Sequence, residues 1–123
     1  MFVYGTLRRG FENHFLLDGA IFLGPARTRG KYALFSENIP YVSKTKEIST
    51  VAGEVYRVDS PTLERIDLLE GHPNWYVREM IEVVLQDGSI VSAWIYFCPA
   101  PEGILVESGD YGDVVPIQGE RDV

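Results

Sequence analysis

The segment Asp59-Ser60-Pro61-Thr62-Leu63-Glu64-Arg65-Ile66-Asp67-Leu68-Leu69-Glu70-Gly71 carries the strongest helix signal in the chain. It limits the fold more than any other stretch. Asp59 or Ser60 suits the N-cap, Pro61 the first helical position and Gly71 the left-handed stop. Elsewhere the apolar residues fall in short β-favouring runs bounded by turn residues. Phe2-Val3-Tyr4 opens the chain inside a strand. Ala20–Gly24 and Gly30–Phe35 read as strands separated by a Pro/Arg link, and Asn38-Ile39-Pro40-Tyr41-Val42 reads as a loop leading into a short apolar segment. Val51–Val58, Tyr76–Leu85 and Ile90–Phe97 read as strands, the last two joined by a hairpin at Asp87-Gly88. Ile90–Phe97 is apolar on both alternating faces, which predicts a central strand. A short helical turn is expected over Asn13–Leu17 with Asn13 as its cap.

One strong helix among hairpin-linked strands predicts an α+β fold: a small mixed, mostly antiparallel curved sheet or barrel with a few short helices. The 123 residues fit a single domain spanning 1–123. Composition then narrows the function. Lys and Arg number 11 against 18 Asp and Glu, a net charge of −7, so no nucleic-acid partner is expected. No apolar run approaches the roughly 18 residues that span a bilayer, no signal peptide precedes the first strand, and the single Cys permits no intramolecular disulfide. A cytoplasmic monomer with no membrane partner is expected. Two His and one Cys cannot form the usual structural zinc site.

Three places carry candidate chemistry. Counting from Leu63 at about 100° per residue, Ile66 falls near 300° and Glu70 near 340°. Glu70 therefore lies on the apolar stripe, in the last turn, where burial and the helix dipole both raise a carboxyl pKa. A carboxylate so raised suits general acid–base work near neutral pH. The same spacing also fits a Glu70 that turns outward at a frayed helix end and pairs with an Arg. Tyr4-Gly5-Thr6-Leu7-Arg8-Arg9-Gly10 is a strand exit whose consecutive N–H groups can hold a carboxylate or an oxyanion, with two arginines adding positive charge. On their own these residues favour an ordinary turn with two solvated arginines. Tyr111 lies in a glycine-flanked loop, able to donate into a pocket or to cover a core edge. Cys98 with His14 or His72 forms no recognised nucleophile pattern. Trp75 and Tyr76 pack in a loop or wall a pocket near Glu70.

Taken together, Phe2-Val3-Tyr4-Gly5-Thr6-Leu7, Gly10, Asn13-His14, Asn38-Ile39-Pro40-Tyr41, Val51–Asp59, Glu70-Gly71, Tyr76-Val77-Arg78, Ala93–Tyr96 and Ser108–Tyr111 resemble the gamma-glutamylcyclotransferase-like superfamily over nearly the whole chain. Asn13-His14 and Asn38-Ile39-Pro40 look most like its gamma-glutamylamine cyclotransferase branch. The glutathione-specific branch usually reads Tyr-Gly-Ser-Leu, and Thr6 departs from it. The resemblance implies a small mixed barrel with a cavity at one end. It implies that the backbone of Tyr4, Gly5, Thr6 and Leu7 binds a small-molecule gamma-glutamyl substrate, with Tyr111 a further pocket residue. Glu70 is implied as the general base and acid in a reaction that releases 5-oxoproline and a free amine. That chemistry asks for no metal and no other cofactor. The contrasting expectation is a non-catalytic module binding a small amino-acid-like anion in the same pocket. A vestigial pocket on an interaction protein is the third.

Overall fold

The computed structural model describes residues 1–37 and 39–114. Five strands form one sheet in the order β1-β5-β2-β6-β7. These are β1 (Phe2–Val3), β2 (Ile21–Thr28), β5 (Ala52–Arg57), β6 (Val77–Leu85) and β7 (Ile90–Phe97). A smaller sheet runs β4-β3-β8, with β3 (Ala33–Glu37), β4 (Ile39–Ser43) and β8 (Ile104–Leu105). Every ladder is antiparallel. The helix α1 (Ser60–Glu70) follows β5, and short 3₁₀ turns cover His14–Leu17 and Tyr111–Asp113. The expected α+β class holds. The barrel does not close, because β1 and β7 stand at opposite ends of the ladder order.

Side chains alternate across a strand, and here both sides meet a core. In β7, Ala93, Ile95 and Phe97 enter one apolar cluster, with Leu34 of β3 and Val42 of β4. Trp94 and Tyr96 enter a second, with Ile66 of α1 and Tyr56 of β5. The continuous apolar run of β7 therefore marks burial on two faces. It does not mark a central position: β7 is an edge strand, which corrects the sequence expectation.

Three further expectations shift. The Pro/Arg link lies inside β2. Pro25 pairs with Glu54 of β5 and sits just before the β6 ladder begins at Ala26, so its missing N–H interrupts no β6 pairing. Ile39–Ser43 is a strand, with Pro40 tolerated because β4 is an edge. Asn38 lies outside the described residues. Asn13 makes no side-chain cap bond to its 3₁₀ turn. The hairpin at Asp87-Gly88 is as expected: Asp87 accepts from the Ser89 N–H at 2.9 Å, and Gly88 takes φ 88°.

Gly53 sets the spacing between β1 and β5. A Cβ there would collide with the Val3 carbonyl and the Phe2 ring. Gly53→Ala is expected to destabilise the fold by roughly 1–3 kcal/mol through overpacking. The measurement is a lower urea midpoint at an unchanged slope.

Candidate active site

Helix α1 begins and ends where its sequence directs. The Asp59 carboxylate accepts the Thr62 N–H at 2.8 Å. Gly71 takes φ 67°, the left-handed stop, and its N–H returns to the carbonyls of Asp67 and Leu68. Glu70 is thereby the last helical residue. β1 and β5 are antiparallel, so Tyr4 leaves β1 at the end of β5 opposite to the one from which α1 departs. The six residues of β5 reach about 20 Å at strand rise, and the eleven of α1 return about 16 Å at helical rise. The helix thus carries Glu70 back to the Tyr4 end of the sheet.

There, Glu70 and the Tyr4–Leu7 loop line one cavity of about 120 Å³, walled further by Pro40, Tyr76 and Tyr96. That is smaller than the roughly 300–1,000 Å³ of a drug-sized site, and it suits one small group rather than a nucleotide. Ile66, one turn before Glu70, is fully buried, so the carboxyl stands on the core-facing side. Burial pushes the Glu70 pKa up to about 7. No ion pair or hydrogen bond engages its carboxyl among the described residues. The arginines are used elsewhere: Arg65 donates to Thr62, and Arg78 to Asp67. The outward, ion-paired alternative for Glu70 is therefore excluded.

The loop is tied by its carbonyls. Gly5 C=O accepts from Arg8 N–H at 3.0 Å, and Thr6 C=O from Asn13 N–H at 2.9 Å. Leu7 C=O is 2.9 Å from His14 Nδ1, which must carry the proton because a carbonyl only accepts. Asn13 also donates its side-chain amide to Thr6 Oγ1 at 2.9 Å. By contrast, the N–H groups of Gly5, Thr6 and Leu7 have no acceptor among the described residues. Gly5 admits no side chain, because a Cβ would meet Pro40. The site thus sets consecutive unused donors opposite an unpartnered carboxyl.

Other candidates fall away from the cavity. Arg8 pairs with Asp110 at 2.7 Å, and the Arg9 guanidinium lies 4.3 Å from the Phe22 ring, so neither supplies charge to the site. Tyr111 is buried in the first core cluster, 5.6 Å from Phe11, and does not line the cavity. Burial raises the Cys98 thiol pKa, opposite to what a nucleophile needs. His14 and His72 are held by Leu7 and Arg78. Among the described residues no group of three or more His, Cys, Asp or Glu is placed to hold a metal ion. No helix there is long and apolar enough to cross a membrane. Trp75 and Tyr76 do wall the cavity, with Leu69 and Ile39. The segments around Asn38–Val42 and His72–Tyr76, expected from the sequence to line the leaving side of the pocket, supply Ile39, Pro40, Trp75 and Tyr76; sequence reading missed Tyr96, whose strand position carries no chemical signature.

The chain is similar to known proteins in sequence and fold. A family model described as "Gamma-glutamyl cyclotransferase, AIG2-like" matches residues 1–113. A Methanocaldococcus jannaschii protein with the name "Putative gamma-glutamylcyclotransferase MJ1514" is 51% identical over 114 residues, covering 92% of this chain and 95% of its own. Gamma-glutamylaminecyclotransferase B of Danio rerio is 36% identical over 109 residues, 78% of this chain and 57% of that protein. The crystal structure of an AIG2-like protein from Mus musculus superposes with a TM-score of 0.82 at 32% identity, covering 94% of this chain and 89% of the mouse chain. The chain belongs to the gamma-glutamyl cyclotransferase, AIG2-like family and is an enzyme of the cyclotransferase type.

Proposed function

We propose that the chain converts a gamma-glutamyl amine into 5-oxoproline and a free amine, with Glu70 as the proton carrier. The observation that carries this reading is the pairing of an unpartnered, half-buried Glu70 with unused N–H groups at Gly5, Thr6 and Leu7. The substrate's α-ammonium cannot attack, so the Glu70 carboxylate takes a proton from it. The freed amine adds to the γ-carbonyl carbon of the same molecule and closes a five-membered ring. The carbonyl oxygen becomes an oxyanion, which the loop N–H groups stabilise. Glu70 returns the proton to the departing nitrogen and takes the surplus proton from the ring nitrogen; the C–N bond breaks, the carbonyl re-forms, and the released amine leaves as its ammonium with that second proton, which restores the Glu70 carboxylate. Nucleophile and electrophile share one molecule, so the cavity mainly selects the folded conformer.

The lining supports a choice of amine half. No Lys, Arg or His lines the cavity among the described residues, and its mouth carries Leu69 and Trp75, 43% and 53% exposed. A leaving group with a carboxylate on the carbon next to its nitrogen would set that charge beside Glu70 with no cation to meet it. The relationship to gamma-glutamylaminecyclotransferase B supports the same substrate class. The reading places the reaction in a cytoplasmic monomer, with a small-molecule substrate and no nucleic-acid or membrane partner.

Glu70→Gln is expected to lower kcat/KM for 5-oxoproline release by roughly 10²–10⁴-fold, measured on gamma-glutamyl-ε-lysine and simple gamma-glutamyl alkylamines. Wild-type kcat/KM is expected to rise with pH through about 7, as Glu70 ionises. Product from the Gln variant at the wild-type rate would remove Glu70 from the chemistry. Binding without product in the wild type would point to the non-catalytic module.

A stability measurement separates lost chemistry from lost folding. The folded pKa of Glu70 lies above its unfolded value of 4.5, so the folded state holds the extra proton between 4.5 and about 7. Stability contributed by this group therefore falls as pH rises through that window and stays low above it. At pH 8 Glu70→Gln is expected to be more stable than wild type, on the order of 2–3 kcal/mol, with the difference vanishing below pH 4.5. Among substrates, gamma-glutamyl amines are expected to exceed gamma-glutamyl α-amino acids by about tenfold or more in kcat/KM.

A further inference from the structure

The phenols around Glu70 all donate elsewhere. Tyr4 donates to the Tyr96 carbonyl at 2.7 Å, Tyr76 to the Pro40 carbonyl at 2.7 Å, and Tyr96 to Asp67 Oδ1 at 2.6 Å. The first two acceptors are backbone, and no side-chain change removes them. The third is a side chain one helical turn before Glu70, and residues three apart on a helix are neighbours. Tyr96 lines the same cavity as Glu70 while its hydroxyl is bonded to Asp67. The charge of Glu70 also acts on it.

Which carboxyl wins is set by Arg78. Its Nε lies 2.9 Å from Asp67 Oδ1 and its terminal nitrogen 3.1 Å from Oδ2, a two-pronged pair. The guanidinium rests 4.3 Å from the Trp94 ring, and the Arg78 N–H donates to His72 Nδ1 at 3.1 Å. Burial works against the Asp67 charge, but bonds from Arg78 and Tyr96 outweigh it and hold its carboxyl below the usual range. Asp67 is accordingly the ionised neighbour and the better acceptor.

We propose that Asp67 is a positioning residue for Glu70: by accepting the Tyr96 hydroxyl it keeps that donor off the Glu70 carboxyl, which then meets substrate with no competing hydrogen bond. The inference rests on Glu70 as the proton carrier. A hydrogen bond to a carboxylate favours its charged form and weakens it as a base. The titratable groups that share the cavity with Glu70 are Tyr4 after β1, Tyr76 before β6 and Tyr96 on β7, with Asp67 one turn back on its own helix, while β4 offers only Ile39 and Pro40. Diverting Tyr96 is thus the one side-chain arrangement among these that leaves Glu70 bare.

The test reads Glu70 directly. Protein labelled with ¹³C at glutamate carboxyls is titrated by NMR without substrate, and the Glu70 signal is assigned by its loss in Glu70→Gln. Asp67→Ala releases the Tyr96 hydroxyl and is expected to lower the Glu70 midpoint by roughly one pH unit. Asp67→Leu, which fills the same volume without an acceptor, serves if the Ala variant unfolds. Asp67→Asn removes the charge but keeps an acceptor oxygen, and is expected to stay at the wild-type midpoint, as is Tyr96→Phe. Asp67→Ala with Tyr96→Phe is expected to return to it. An unmoved midpoint in Asp67→Ala overturns the proposal. So does Asp67→Asn falling as far as Ala, or the double variant staying low, since lost charge or a freed Arg78 would then account for the shift. In kinetics, the acid limb of kcat/KM should move with the same pattern. The titration needs no turnover, so a failure of the proposed reaction is seen separately from a failure of this inference.

Discussion

Tyr96 joins the two halves of the cavity, and the rest of the site depends on that join. Its carbonyl receives Tyr4 from the strand exit, and its hydroxyl reaches Asp67 on the helix. The loop and the helix lie at different points in the chain, and the Tyr96 bonds add fixed polar links to the apolar cluster that Leu7 and Ile66 share. β7 can serve both because it is buried on two faces: Ile95 and Phe97 fill the core against the small sheet while Tyr96 turns to the helix side. An edge strand with two buried faces is unusual for an antiparallel sheet. Here the helix and the second sheet cover what pairing does not.

The same helix turn holds two carboxyl groups driven in opposite directions. Asp67 is held below the ordinary range by its donors, although burial opposes them, and Glu70 is raised by burial. The difference is one of partners rather than of helix position. Environments that push neighbouring acids apart are how a fold assigns distinct proton roles. The cost falls on Glu70 alone and only in its charged form. Helix α1 offsets such costs at its ends, through the Asp59 cap and the left-handed Gly71, so the buried acid sits on a well-anchored element.

Much of this was legible in the residues. The helix bounds, its caps and the inward face of Glu70 follow from local rules, because capping and periodicity act within a few residues. The Asp87-Gly88 hairpin is equally local. What escaped depends on tertiary placement. The apolar pattern of β7 reports two buried faces but not which edges are paired, so by itself it predicts a central strand where the sheet order has an edge. Pro25 and Pro40 looked like strand breakers, and only the sheet order reveals that neither interrupts a needed bond. The loop residues Tyr4–Leu7 were legible as donors. The role of Asn13 and His14 in tying their carbonyls was not, since a helix cap and a loop tie use the same side chains. Arg8 and Arg9 looked like charge for an anion, yet Asp110 and Phe22 claim them.

A small cavity suffices for the proposed reaction because the reacting groups arrive already joined. A two-substrate transfer would need both partners enclosed and oriented. Cyclisation needs only the glutamyl half enclosed, with its amine at Glu70 and its carbonyl at the loop. The other half can leave through the mouth, where Leu69 and Trp75 are partly open to solvent. The chemistry and the choice of amine therefore rest on separate parts of the chain. Glu70, its helix and the strand-exit loop are fixed by the sheet, whereas Trp75 belongs to the connection between α1 and β6. A change in that connection can alter which amine fits without disturbing the proton path. One set of reacting groups can in this way serve relatives with different leaving amines.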